Sequence, residues 1–136
     1  MREVIKLLES ILGILTDKSD AQTNEVTLTV TKGKEPIFID FIGTESVNLP
    51  AGANTIPGGR PVSELVIVNE GICWLRYKVN VKHHNQRHGS SLLKSPEDRI
   101  VRPHSPRKIK NVMLYAIENP ADLPATTTEV RLNILT

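Results

Sequence analysis

Three histidines, His83, His84 and His88, fall in a stretch with no hydrophobic periodicity, and a fourth, His104, stands between Pro103 and Ser105. Imidazoles four residues apart share a helix face, so His84 and His88 have a spacing that suits a zinc ion. Asn85, Gly89 and Ser90 oppose a helix there, and neither cysteine nor carboxylate lies inside the cluster. Polar loop histidines are therefore expected, with no metal and no other cofactor. Cys73 is the single cysteine and sits in the apolar run Ile72-Cys73-Trp74-Leu75. It has no partner for an intrachain disulfide and reads as a buried structural thiol, which suits a reducing compartment. Ser63, Ser90 and Ser91 lack the strand-turn-helix setting of a nucleophile elbow. The Gly58-Gly59 pair lies between Pro57 and Arg60-Pro61, with no helix start behind it to hold a phosphate. Asp40 and Glu45 would meet only through folding, and Asp40 fits an outward strand position. No constellation here specifies a catalyst, and the chain is expected not to be an enzyme.

Charge supplies a second candidate. Of the 17 Lys and Arg residues, ten fall between 76 and 110: Arg76, Lys78, Lys82, Arg87, Lys94, Arg99, Arg102, Arg107, Lys108 and Lys110. Only Glu97 and Asp98 oppose them in that span, so the remainder of the chain is net acidic. A basic lobe on an acidic body suits an anionic partner, foremost an acidic protein surface. The bland alternative is a solvated stretch whose charges pair with the acidic remainder or with neighbouring subunits. Nucleic acid is not the expected partner, because no recognition helix or aromatic-basic strand motif accompanies the charge.

The third candidate is the first 16 residues. At 100° per residue, Val4, Leu7, Leu8, Ile11, Leu12 and Leu15 share one apolar arc with Ile5 and Ile14. Arg2, Glu3, Lys6, Glu9 and Ser10 fill the opposite half. An amphipathic helix over 1–16 is predicted, followed by a polar linker over 17–24 and a β domain over 25–136. The helix face reads as an assembly or docking device, with packing on its own domain as the alternative. Lys6, Glu9 and Ser10 interrupt any signal-peptide core. No apolar run approaches the ~18 residues of a membrane span, and the balanced charges do not suit a membrane-surface helix. A soluble, unprocessed chain is expected.

The elements that must position these residues are strands. Residues 25–32 alternate Val26, Leu28 and Val30 with threonines, the pattern of a half-buried strand. Residues 36–42, 65–68, 72–81, 99–102, 108–118 and 128–136 follow, punctuated by Gly33, Pro50, Pro57-Gly58-Gly59, Pro103 and Pro120. Leu65-Val66-Ile67-Val68 is apolar on both faces and reads as central. Asn69-Glu70-Gly71 is read as the turn of a hairpin into 72–81, whose odd-numbered residues Cys73, Leu75, Tyr77, Val79 and Val81 form the core face. Residues 82–97 read as a long loop anchored by Leu92 and Leu93. Seven or eight such strands predict an all-β fold, an antiparallel sandwich or barrel preceded by the N-terminal helix. Aromatic residues make up 4% of the chain, so the core must rest on Val, Ile and Leu, and stacking platforms for sugars are thin.

The β region resembles a known group. A Pro/Gly-rich lead-in (Leu49-Pro-Ala-Gly52, Ile56-Pro-Gly-Gly59) precedes Leu65-Val-Ile-Val-Asn-Glu-Gly71 and Trp74-Leu-Arg-Tyr-Lys-Val-Asn80. Lys108-Ile-Lys-Asn-Val-Met-Leu-Tyr-Ala116 and Glu129-Val-Arg-Leu-Asn-Ile134 follow. Over about residues 45–136 this order resembles small β-sandwich virion proteins of tailed bacteriophages, the capsid decoration and neck or tail accessory proteins. The resemblance implies a mechanical role: a homo-oligomer that binds other virion proteins (capsid, portal or tail) and stabilises a capsid lattice or ring. It implies assembly in the host cytoplasm and residence in the virion, and it carries no catalytic residues. The alternative is a non-viral sandwich module that recognises a peptide or carbohydrate.

Overall fold

The computed structural model describes residues 23–50, 53, 56, 58–103 and 108–136. The helix expected over 1–16, its apolar face Val4, Leu7, Leu8, Ile11, Leu12 and Leu15, the linker as far as residue 22, and also His104 and Arg107 lie outside the described residues.

Eight strands make up the described fold: β1 (Thr23–Thr31), β2 (Ile37–Asp40), β3 (Glu64–Asn69), β4 (Trp74–Val79), β5 (Ser91–Leu93), β6 (Glu97–Val101), β7 (Asn111–Ile117) and β8 (Thr127–Leu135). They form two four-stranded sheets of order β1-β8-β3-β6 and β2-β7-β4-β5, and every pairing is antiparallel. The pairs β1–β8, β2–β7, β3–β6 and β4–β5 nest inside one another, so the chain is one long hairpin rolled up on itself. Its tip is the 80–90 loop, and every other connection crosses between the sheets. This is the strand order of an eight-stranded jelly roll.

Period-two alternation explains why these segments fold as they do. In β1, Val26, Leu28 and Val30 are buried while Thr27 and Thr29 face water; β8 repeats the pattern with Val130, Leu132 and Ile134. β3 supplies Leu65 and Ile67, and β4 supplies Leu75 and Tyr77, which with Cys73 just before it make the odd-numbered face expected there. β3 lies between β8 and β6, as its two apolar faces suggest. The core is one cluster of mostly aliphatic side chains between the sheets.

Three expectations need correction. Residues 65–81 are not a hairpin: β3 pairs with β8 and β6, and β4 pairs with β7 and β5. Asn69-Glu70-Gly71 is a corner between sheets, because both strands turn a fully apolar row inward and those rows must face each other across the core. The 82–97 loop is also shorter than expected. β5 and the first residue of β6 fall inside it, and Leu93 is wholly buried opposite Leu75. β1 begins two residues before the start read from the sequence.

The roll places the connections 32–36, 70–73, 94–96 and 118–126 at one end. The ends of β2, β4 and β6 and the starts of β3, β5 and β7 lie at the other, where β1 enters and β8 leaves. The first end is held by a buried polar node. Asn69 is fully buried; its Nδ2 donates to the carbonyls of Cys73 (2.9 Å) and Leu93 (3.3 Å), and its Oδ1 accepts the Thr128 hydroxyl. Ser95 adds its hydroxyl to the Gly71 carbonyl. Burial pushes the neighbouring Cys73 thiol above its ordinary value of 9.0; Asp122 adds to the rise and the Lys32 ammonium partly offsets it. A thiol held protonated in the fold stabilises it below the ordinary thiol range, and that contribution is lost as pH rises through the raised value. Urea midpoints measured between about pH 8 and 10 are expected to fall more steeply for the native protein than for Cys73→Ala. Thiol reagents are expected to label Cys73 only on unfolding.

Candidate functional site

The outer faces of the two sheets differ. On the β2-β7-β4-β5 sheet, β4 turns Trp74, Arg76 and Lys78 outward beside Ile117, Tyr115 and Met113 of β7. The loops after β2 and β4 fold back over this face and bury Met113, Phe38 and Val81 in a small second cluster with Val47 and Tyr115 against it. Phe38 and Val47 exchange backbone hydrogen bonds, which covers part of the free edge of β2.

Four of the ten cations of the basic lobe are held on this face, three of them on the 80–90 loop. Arg76 Nη1 donates to the Ser90 carbonyl (3.0 Å), and Lys78 Nζ to the His88 carbonyl (2.9 Å). The Arg87 guanidinium lies 5.1 Å from the centre of the Tyr115 ring, whose hydroxyl bonds Ser90 Oγ at 3.0 Å. Lys94 sits 5.1 Å over Trp74. These partners are carbonyls and rings, so the cations are held in place without being neutralised. Arg87 alone also approaches a carboxylate, Glu35 at 3.9 Å, an exposed and weak contact. Arg76→Met is expected to cost about 1 kcal/mol and to speed tryptic cleavage after Lys82 and Arg87 several-fold, read by limited proteolysis.

The other basic residues part company. Arg99 faces inward from β6 at the open side of the sandwich, where it donates to Tyr77 Oη (3.1 Å) and the Leu92 carbonyl (3.3 Å). It closes the gap between β5 and β6. Arg102 pairs with Glu64 at 2.7 Å. Lys82, Lys108 and Lys110 lie at the end with the long loops. Asn80, in a left-handed conformation (φ 55°), ties two of those loops together there through the Lys108 carbonyl and the Lys110 amide.

The outer face of the β1-β8-β3-β6 sheet is acidic. Register places Glu25, Glu64, Asp98 and Glu129 on it, with Glu70 at its margin, against Arg102 and Arg131. Arg131 lies 3.1 Å from Glu70 and 3.9 Å from Glu25; the Glu70 hydrogen bond holds its guanidinium still more firmly protonated. Val66, Val68 and Ile100 form the apolar centre of this face, and Ile100 is 51% exposed.

The candidate chemical groups do not converge. Asp40 accepts the amides of Ile42, Gly43 and Glu45 at 3.0–3.2 Å, so its carboxylate organises a turn and is not set up as half of an acid–base pair. His83 and His84 line a shallow cleft of about 350 Å³ with Asp40, Glu45 and Lys82. Among the described residues, no three His, Cys, Asp or Glu side chains form a metal-sized group. No helix among them is long and apolar enough to cross a membrane.

No protein-family model matches the chain, and no curated protein matches it.

Proposed function

We propose that this chain is a non-enzymatic structural virion protein of a tailed phage, which binds a capsid lattice or a neck or tail ring through protein–protein contacts. The observation that carries the reading is the rolled hairpin with strand orders β1-β8-β3-β6 and β2-β7-β4-β5, an architecture that recurs in viral capsid proteins. Lectins and cupins share that architecture, so topology alone does not assign the role. The jelly-roll interior here is filled with aliphatic side chains, which favours recognition by outer faces over an enclosed ligand. Trp74 and Tyr77 point to opposite sides of β4, which weighs against a flat sugar platform and so against a carbohydrate-binding module.

The apolar residues of segment 1–16 give this protein a further way to hold a partner in trans. The deciding experiment is antibody labelling of purified particles by electron microscopy. Labelling at many sites over the head supports lattice decoration, and a single focus supports a neck or tail ring. Purified particles that carry none of the protein refute the reading.

A further inference from the structure

The two outer faces of the sandwich are opposite in sign and lie on opposite sides of the molecule. One presents five carboxylates against two guanidiniums around Val66, Val68 and Ile100. The other presents Arg76, Lys78, Arg87 and Lys94, held by carbonyls and aromatic rings, around Trp74, Leu92 and Ile117. Asp40 is the one carboxylate its strands contribute, and backbone amides already occupy it.

From this pairing we infer that copies of the chain associate head to tail, the acidic face of one copy against the basic face of the next. The partner is a second copy because the two faces are complementary: an apolar centre meets an apolar centre, and cations opposed only by the weak Arg87–Glu35 contact meet excess carboxylates. A two-fold dimer would set like charge against like at either face, which is a repulsive arrangement. The contact is therefore heterologous. Each copy added leaves one face of each kind open at the ends, so growth closes into a ring or continues as a filament. The acidic sheet has strands of nine, nine, six and five residues, the basic sheet strands of four, seven, six and three. At ~3.3 Å per residue and ~4.8 Å per strand the smaller face offers roughly 300 Å² of sheet, below the ~800 Å² per partner of a standard interface and in keeping with a weak, charge-dependent contact. The inference rests on the assembly part of the proposed function and does not need its virion part.

Sedimentation velocity over a concentration series of the full chain tests it. The wild-type mass is expected to rise with concentration, and raising salt from about 0.05 M to 0.5 M should weaken association on the order of tenfold. Asp98→Lys/Glu129→Lys removes the acidic face and Arg87→Glu/Lys94→Glu the basic one. Each variant alone should stay at the 15.1 kDa monomer. An equimolar mixture should associate, because each variant keeps the face the other has lost. The single substitutions Glu25→Lys and Lys94→Glu should cross-complement in the same way, which guards against a misfolded double variant. A monomeric wild type at every concentration overturns the inference. So do variants that each associate like the wild type, and so do mixtures of both kinds that stay monomeric. A monomer that still labels particles would sink this contact and leave the virion role standing; an oligomer missing from particles would do the reverse.

Discussion

Asn69→Leu is expected to destabilise the β domain by about 3 kcal/mol, the largest effect of any near-isosteric substitution in it. The side chain is wholly buried and bonds the carbonyls of Cys73 and Leu93 and the Thr128 hydroxyl, with a longer bond from the Gly71 amide at 3.4 Å. Leucine fills the volume but leaves two carbonyls and a hydroxyl in a dry site without partners. Each such orphan costs ~1–3 kcal/mol, softened where the corner relaxes toward water. Those partners lie just before β4, at the end of β5 and at the start of β8, so one amide holds both sheets at one end of the roll. Adding Thr128→Val removes one orphan and should recover about 1 kcal/mol, a coupling that a double-mutant cycle on urea midpoints measures. Trp74, the single tryptophan, reports the unfolding. Additive effects of the two substitutions would show that the node is not a unit.

Gly71→Ala comes second, at about 2–3 kcal/mol by overpacking. A β-carbon there would lie within 2.5 Å of the Glu129 amide nitrogen and the Thr128 α-carbon, and closer still to Thr128 Oγ1. Two of those three atoms are backbone, so no rotamer change relieves the contact; the corner must move off β8. The glycine is required for close approach. The urea midpoint should drop by ~2 M, given ~1–1.5 kcal/mol per molar urea for a domain of this size. Gly58→Ala, where a β-carbon meets nothing within 4 Å, serves as the control and should leave the midpoint unchanged. Equal midpoints for the two variants would mean that the corner does not pack against β8 as described.

These two residues also mark where reading from sequence stops. Asn-Glu-Gly between apolar runs has the composition of a hairpin turn, and local pattern carries no term for the sheet to which the next strand belongs. The same limit holds for the basic lobe. Composition groups ten cations in one stretch, while the rolled topology sends Arg99 inward to Tyr77, ties Arg76 and Lys78 to loop carbonyls, and leaves Lys108 and Lys110 at the far end from Lys94. The acidic face was not legible at all, because Glu25, Glu64, Asp98 and Glu129 are scattered along the chain and meet only through strand register.

Most strands and their buried faces, the aliphatic core and the buried thiol were legible in the residues themselves; β5, three residues long, was not. Alternation with period two is a property of neighbouring residues, and burying every apolar row demands two layers whatever the order of strands. Pairing, sheet membership and the placing of charge on faces were decided only when distant segments met, as β1 meets β8 a hundred residues later at Thr29 and Glu129. Those contacts depend on which apolar rows find each other across the core, and no window of sequence contains both partners.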